Sequence, residues 1–243
     1  TTNSTIEYTG ATTFTLAAFP YYNLILNSTG AGTWNLASGI TLAIANDLTL
    51  AGTSTSSSLN ISNTASTCSL TVAGNCYIQS RGILRTISIG TSTGGVATIT
   101  GNLEISGTGK IHLESVSAAS GTGVINVNGN FTSTGTTVAS VGANGVVDFG
   151  AGSSLANNGI FIKGNFSHTT AGTFGTGGTG PNLGFVFNGT APQSLTYTGA
   201  AVSDYTNYQI NSGATVNLAS NLTFSGAASP SSSVRVLSGG TLN

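Results

Sequence analysis

The dipeptide Gly-Asn recurs at nearly constant intervals, and each time it closes one alternating apolar run and precedes another. It occurs at Gly74-Asn75, Gly101-Asn102, Gly129-Asn130 and Gly164-Asn165. Asp47 holds the same place upstream, and Asn221 holds it downstream of a weaker copy at Gln193. A period near 28 residues, with one longer interval of 35 between Asn130 and Asn165, indicates a chain that winds into coils of similar length.

Apolar residues keep a fixed distance from these markers. One residue after the marker stand Leu48, Cys76, Leu103, Phe131, Phe166 and Leu222, and three residues before it stand Ile44, Val72, Ile99, Val127, Ile162 and Leu218. The residues between them are mostly Thr, Ser, Ala or Asn. A period of two within each run, combined with the long period, predicts parallel strands stacked so that these residues form core columns.

The composition favours β-structure throughout. Only 5% of the residues are charged and 39% are hydrophobic, and the regular β-branched runs argue against disorder. Thr, Ser, Asn, Gly and Val dominate where helix formers would be expected. Third apolar runs occur at 59–61, 83–89, 111–113 and 234–236, which indicates three strands in each coil.

The sequence therefore predicts an all-β, right-handed parallel β-solenoid with about 28 residues and three short strands per coil, in roughly eight coils. It predicts one domain over residues 1–243, with open ends and an insertion near 142–158.

The marker residues are predicted to form a structural ladder at one corner of the coils. Its members are Asp47, Asn75, Asn102, Asn130, Asn165 and Asn221. Asparagine and glycine tolerate the left-handed backbone conformation that a tight corner often needs. Stacked amides can also hydrogen-bond from coil to coil. We therefore expect these residues to support the fold rather than to bind a ligand.

The opening of the chain recurs near its end. Residues 21–38 are similar to 205–220, and residues 3–12 are similar to 182–191, so that the phrase restarts at about 182–220. Residues 238–243 followed by 1–8 also parallel residues 175–187. This continuity predicts that copies stack head to tail, either as a covalent tandem array or as separate subunits.

Four phrases carry a resemblance to a known class of proteins. They are Phe-Asn-Gly-Thr-Ala-Pro-Gln at 187–193, Tyr-x-Asn-Tyr-x-Ile-Asn at 205–211, Thr-Val-x-Leu-x-Ser-Asn-Leu-Thr at 215–223 and Leu-Ser-Gly-Gly-Thr-Leu-Asn at 237–243. The sequence resembles the β-solenoid repeats of large secreted surface proteins and adhesins of Bacteroidota-type bacteria. The resemblance implies secretion, surface display and a stalk or fibre role, and it implies no catalytic residue.

Several classes of function find no support in the sequence. The five Lys and Arg residues are scattered, which argues against nucleic-acid binding, and no apolar run reaches the roughly 18 residues of a membrane span. The six acids, including Glu104 and Glu114, form no close pair of the kind that glycosidases use. We expect no enzymatic activity, no metal and no cofactor.

The histidines and cysteines are predicted to be structural. By the alternation, His112 points outward and His168 inward, which gives no zinc or triad arrangement. Cys68 and Cys76 both have inward parity, which favours two buried thiols. A disulfide that closes a bend is the alternative.

The sequence thus predicts a subunit of an extracellular fibre or adhesin stalk that pairs with itself and contacts surface glycans. Its start at Thr1 without Met suggests a segment excised from a secreted precursor. The alternative is a module whose flat face binds a polysaccharide or ice. A row of exposed aromatic residues at one register would favour the polysaccharide, and regular rows of outward Thr would favour ice.

Overall fold

A computed structural model describes residues 3–53, 57–62, 66–87, 94–113, 122–135, 147–148, 158–169, 183–198, 207–223 and 233–243. These residues form 24 strands in three parallel sheets, and none of them is helical.

The ten-stranded sheet contains β1 (Thr5–Thr9), β3 (Asn23–Ser28), β6 (Leu48–Gly52), β9 (Cys76–Ile78), β12 (Leu103–Ile105), β15 (Phe131–Ser133), β18 (Phe166–His168), β20 (Gln193–Tyr197), β22 (Thr215–Leu218) and β24 (Thr241–Leu242). The eight-stranded sheet contains β5 (Thr41–Ile44), β8 (Cys68–Val72), β11 (Gly94–Ile99), β14 (Thr122–Val127), β17 (Gly159–Ile162), β19 (Gly184–Phe187), β21 (Asn207–Ile210) and β23 (Ser233–Val236). The six-stranded sheet contains β2 (Thr13–Leu16), β4 (Thr33–Leu36), β7 (Ser57–Ser62), β10 (Gly82–Ile87), β13 (Lys110–His112) and β16 (Val147–Asp148).

Each strand pairs in parallel with the equivalent strand of the next coil, not with its neighbour in sequence. From β3 to β17 the chain visits the ten-, six- and eight-stranded sheets in turn. Parallel strands need a long connection between them, and here the other two sides of the coil supply it. The predicted parallel β-solenoid is confirmed.

The length of a coil follows from the sequence separation of residues that hydrogen-bond across the same corner. Successive separations in the middle of the chain are 28, 27, 28, 35 and 29 residues. The first two steps are shorter, at 18 and 24 residues. The late coils are shorter too, with separations of 23 and 26 residues. Short coils at the start and in the late part of the chain explain why the longest sheet has ten strands where roughly eight coils were predicted. The coil of 35 residues spans the predicted insertion at 142–158, most of which lies outside the described residues.

Two columns of inward side chains run along the core, as the alternation predicts. On the ten-stranded sheet the column contains Leu24, Leu48, Cys76, Leu103, Phe131, Phe166, Leu195 and Leu218. On the eight-stranded sheet it contains Ile44, Val72, Ile99, Val127, Ile162, Phe187, Ile210 and Val236. Except for Leu218 and Val236, these side chains are at most 3% exposed. Burying one such side chain contributes about 1.5–3 kcal/mol.

Like residues stack in these columns because paired strands lie about 4.8 Å apart. The rings of Phe131 and Phe166 are nearly parallel, with centroids 5.2 Å apart and an interplanar angle of 9°. Phe185 packs edge-on against Phe166 at 4.9 Å and stacks on Tyr208 at 5.6 Å. This part of the core is therefore an aromatic cluster continuous across four coils.

The predicted register is wrong in the late coils. Leu218 was predicted to follow Ile162, but it pairs with Leu195 and so belongs to the column of Phe166. Leu222, predicted for that column, and Asn221, predicted for the corner, lie beyond the end of β22. Leu218 and Leu222 have the same parity, so alternation alone cannot distinguish the two registers. The shorter coil between Leu195 and Leu218 determines that the second register, with Leu218 beside Leu195, is the one that forms.

The late strands also occupy other faces than predicted. Residues 234–236 were predicted as a third-face strand like 59–61, but β23 pairs with β21 in the eight-stranded sheet. The two similar phrases lie on different faces as well. The opening phrase forms β3 in the ten-stranded sheet and β4 in the six-stranded sheet, whereas its late copy forms β21 and β22 in the eight- and ten-stranded sheets.

Phe166→Ala is expected to lower the free energy of unfolding by about 3–5 kcal/mol, because it empties the centre of the aromatic cluster. Phe19→Ala removes the same atoms from a side chain that is 52% exposed and should cost less than about 1 kcal/mol. Urea unfolding followed by circular dichroism measures both. Equal losses in the two variants would contradict this packing.

Candidate functional site

The corner ladder consists of side-chain to main-chain hydrogen bonds between successive coils. A carboxylate oxygen of Asp47 accepts the amide N–H of Asn75 at 2.7 Å. The Oδ1 of Asn75 accepts the N–H of Asn102 at 2.9 Å, and the Oδ1 of Asn102 accepts that of Asn130 at 2.8 Å. Asn130 does the same for Asn165 at 2.8 Å. Each corner side chain thus satisfies a main-chain donor of the next coil.

The ladder extends one coil further than predicted at its start and ends differently. Asn23 Oδ1 accepts the N–H of Asp47 at 3.2 Å, a role that the sequence analysis missed because this step is 24 residues long. At the other end, Asn165 Oδ1 accepts the N–H of Ser194 at 2.8 Å. Ser194 therefore holds the place predicted for Gln193, which is buried and donates from Nε2 to the Ile162 carbonyl.

The glycine before each ladder asparagine makes room for the previous coil. A Cβ atom at Gly101 would lie 2.5 Å from the Gly74 carbonyl oxygen and 2.7 Å from Asn75 Oδ1. Among the described non-glycine residues, only Asn3 and Arg81 have positive φ. The predicted left-handed conformation at the ladder is therefore wrong. The phrase Gly-Asn is explained by close approach at glycine and by acceptance of an N–H at asparagine.

Cys68 and Cys76 are free and buried, so the alternative of a disulfide is wrong. The Cys68 thiol donates to the Ala37 carbonyl at 3.4 Å. Cys76 stacks between Leu48 and Leu103 in the core column. Burial, with a smaller contribution from the charge of Asp47, raises the pKa of the Cys76 thiol to about 12. Both cysteines act as small apolar core residues.

The acidic residues and histidines of the described part of the chain do not gather into a metal-binding group. It contains no cluster of three His, Cys, Asp or Glu side chains that could hold a metal ion. Glu104 lies outward between Tyr77 and Thr132, and Glu114 lies outside the described residues. His168 is fully buried, with its ring 4.9 Å from that of Tyr197. The inward orientation predicted for His168 is therefore confirmed.

A polar column crosses the outer face of the six-stranded sheet. Asn60 Nδ2 donates to Asn35 Oδ1 at 2.8 Å, and Arg85 and His112 follow Asn60 in register. Burial lowers the pKa of the half-buried Arg85 guanidinium. Asn60 is only 5% exposed, and Asn60 Oδ1, Arg85 Nε and His112 Nε2 are buried atoms. The column therefore presents little polar surface for a polysaccharide to contact.

The alternative functions of polysaccharide and ice binding require long rows of exposed aromatic residues or of outward Thr, and the rows found in the described residues are short. Exposed Phe14 and Phe19 both belong to the first coil, close to Tyr8 and Tyr21, and do not form a row along a face. The outward Thr71 and Thr98 are neighbours on the eight-stranded sheet, but the next residues in that column are Ala43 and Asn126.

The last coil exposes the side chains that every inner coil buries. Leu218 is 40% exposed, Val234 37%, Val236 45% and Leu242 39%. They lie on three strands, β22, β23 and β24, and continue columns whose earlier members are buried. β23 and β24 are also edge strands of their sheets. These four residues define the C-terminal end face, where the core columns are exposed on two sheets.

The first coil carries a cluster of aromatic side chains, which we call the N-terminal end face. Tyr8 lies 5.6 Å from Phe14 and 6.4 Å from Tyr21, centroid to centroid. The Tyr8 and Tyr21 hydroxyls are hydrogen-bonded at 3.1 Å. Phe14 is 48% exposed, and Ile6 is only partly buried against the core. The two end faces contain all the large apolar side chains described as exposed.

Comparison with known proteins finds no family, no curated protein and no solved structure that matches this chain. The resemblance to bacterial surface proteins therefore stays a prediction. None of the described residues belongs to a helix long and apolar enough to cross a membrane.

Asn102→Ala is expected to destabilise the solenoid by about 1 kcal/mol, because the N–H of Asn130 loses its acceptor at a partly solvated corner. Asn102→Asp keeps an oxygen in place, as Asp47 does naturally, and should be nearly neutral. Gly101→Ala should cost about 1–3 kcal/mol through the clash with the Gly74 carbonyl. The urea midpoints of the three variants give the order of their stabilities. A Gly101→Ala variant as stable as the wild type would contradict the close approach of Gly101 to the Gly74 carbonyl.

The raised pKa of Cys76 predicts a loss of stability in alkali. The folded state holds the thiol proton more tightly than the unfolded state, so its stabilisation is complete below about pH 9 and declines toward about pH 12. The loss approaches about 1.4 kcal/mol per pH unit in that window. Urea midpoints should fall more steeply from pH 9 to pH 11 in the wild type than in Cys76→Ala. If the urea midpoints of the wild type and of Cys76→Ala fell in parallel with pH, this prediction would be contradicted.

Proposed function

We propose that this protein is a non-enzymatic structural subunit whose copies stack end to end into an extracellular fibre or adhesin stalk. The observation that carries the proposal is the C-terminal end face, where Leu218, Val234, Val236 and Leu242 are 37–45% exposed. A second copy whose first coil covers this face would continue the core columns. Soluble proteins rarely leave a contiguous apolar patch of this kind unpartnered unless it is an interaction site.

The main chain supports the same arrangement. The edge strands β23 and β24 present N–H and C=O groups that pair in every inner coil, and an exposed edge of this kind is a template for another strand. Proteins protect such edges with charged residues, proline or bulges. β24 consists of Thr241 and Leu242 and has none of these, and β23 has the single charge of Arg235. A strand from another copy could therefore pair in parallel with either β23 or β24.

The N-terminal end face suits the role of partner. Its exposed Phe14 and partly buried Ile6 and Tyr8 belong to β1 and β2, the first strands of two sheets. One end face thus presents aliphatic side chains and the other mainly aromatic ones. Contact between two different ends of the same protein is heterologous, and it propagates into a filament when it does not close.

Secretion, surface display and contact with glycans are proposed on the resemblance to bacterial surface proteins. The ladder of corner hydrogen bonds and the core columns supply a stiff rod, which a stalk requires. The dispersed acids of the described residues support a structural role rather than hydrolysis, since hydrolysis of sugars needs two carboxyl groups near one bond.

Sedimentation velocity and electron microscopy over a concentration series test the assembly. The wild type is expected to form rods that lengthen with concentration. Val236→Lys should abolish them, because it places a charge on the face to be buried. Thr71→Lys adds the same charge to an exposed outward position of β8 and serves as the control. A wild type that stays monomeric, or a Thr71→Lys variant that blocks assembly equally, would contradict the proposal.

A further inference from the structure

We infer that the stacked copies are advanced by one face, so that β1 of the following copy pairs with β23 and places its Glu7 beside Arg235 of the preceding copy. This inference rests on the proposed end-to-end stacking and adds its register. The last described coil offers two edges to β1, those of β23 and β24.

The repeated phrase decides between the edges. Residues 3–12 are similar to 182–191, which sets Ile6, Glu7 and Tyr8 equivalent to Phe185, Val186 and Phe187. These late residues form β19, which lies in the eight-stranded sheet although its sequence equivalent β1 lies in the ten-stranded sheet. A phrase of the β1 type can therefore occupy the eight-stranded sheet, whose open edge is β23.

The column register then assigns the partners. Phe185 pairs with Tyr208, which pairs with Val234, and Phe187 pairs with Ile210, which pairs with Val236. If β1 takes the next place in the same register, Ile6 covers Val234 and Tyr8 covers Val236. The two apolar side chains of the β23 edge, Val234 at 37% and Val236 at 45% exposure, thus receive the two inward residues of β1.

The next strand fits as well. In the same alignment, Phe14 of β2 is equivalent to Gln193 of β20, which begins the column Gln193, Val216, Leu242. Phe14 of the following copy would continue this column and cover Leu242. Their exposures of 48% and 39% would then be lost together. Three apolar contacts on two sheets thus follow from one register.

Charge supplies an independent argument. In this register Glu7 is the outward neighbour of Arg235, because each stands between the paired inward residues of its strand. Both side chains are exposed and both lie on edge strands at opposite ends of the solenoid. The chain has only six acids and five basic residues besides histidine. Pairing β1 with β24 in the register of the ten-stranded sheet would instead place Glu7 beyond Asn243, where no described charged residue lies beside it.

Cysteine cross-linking tests the register. Glu7→Cys and Arg235→Cys are prepared separately and mixed under assembly conditions with mild oxidation. Neighbouring strands lie about 4.8 Å apart, which is within the Cα separation of a disulfide. The mixture should form a disulfide-linked dimer, whereas Thr5→Cys mixed with Asn243→Cys, the pair that stacking of β1 on β24 would bring together, should not. The buried Cys68 and Cys76 remain in all variants, and each single variant alone is the background control.

Charge reversal provides a second measurement. Arg235→Glu is expected to raise the concentration needed for assembly about two- to tenfold, because it faces Glu7 with a like charge. The double variant Glu7→Arg, Arg235→Glu should restore assembly at the wild-type concentration. Arg81→Glu makes the same change away from both end faces and should have no effect.

The outcomes separate the two proposals. If the wild type never assembles, the stacking proposal fails and this register fails with it. If the wild type assembles but the cross-link forms between Thr5→Cys and Asn243→Cys, or if the double variant does not recover, the one-face advance alone is overturned.

Discussion

The register between coils depends on a hydrogen bond made at one corner of the solenoid. Each marker side chain accepts the amide N–H of the next marker, from Asn23 through Asp47 and onward to Ser194. A slip by one residue would move every inward side chain to the outside. Because the acceptor is fixed at the corner, coils of 24 to 35 residues can keep their strands aligned while the connections vary in length. The core columns follow from that alignment.

Much of this arrangement could be predicted from the sequence, because a fixed corner and a period of two together determine a column. From Asp47 to Asn165 the markers and the residues around them occupy the predicted positions. The prediction was wrong where coil length changed without a Gly-Asn corner. Leu218 and Leu222 both fit the alternation, and only pairing between strands shows that Leu218 belongs beside Leu195. The role of the glycine in each Gly-Asn corner could not be predicted either, because it depends on contacts with the previous coil.

The end faces could be predicted only in part. Recurrence of the opening phrase indicates that coils can continue one another, but it does not give the face that each copy occupies. The proposed advance by one face rests on the sheets, which place β1 and β19 on different faces of one chain. The low charge leaves the edges β23 and β24 with few of the charges that discourage pairing, and this supports the proposed association between copies.

Cryo-electron microscopy of the wild-type protein under assembly conditions tests the proposed end-to-end continuation most directly. A helical reconstruction should show one three-faced rod in which the strand spacing of about 4.8 Å continues unbroken across the junction between copies. Each copy should be advanced by one face relative to the last. Copies joined side by side through their outer faces, or a junction at which the strands do not pair, would contradict the account.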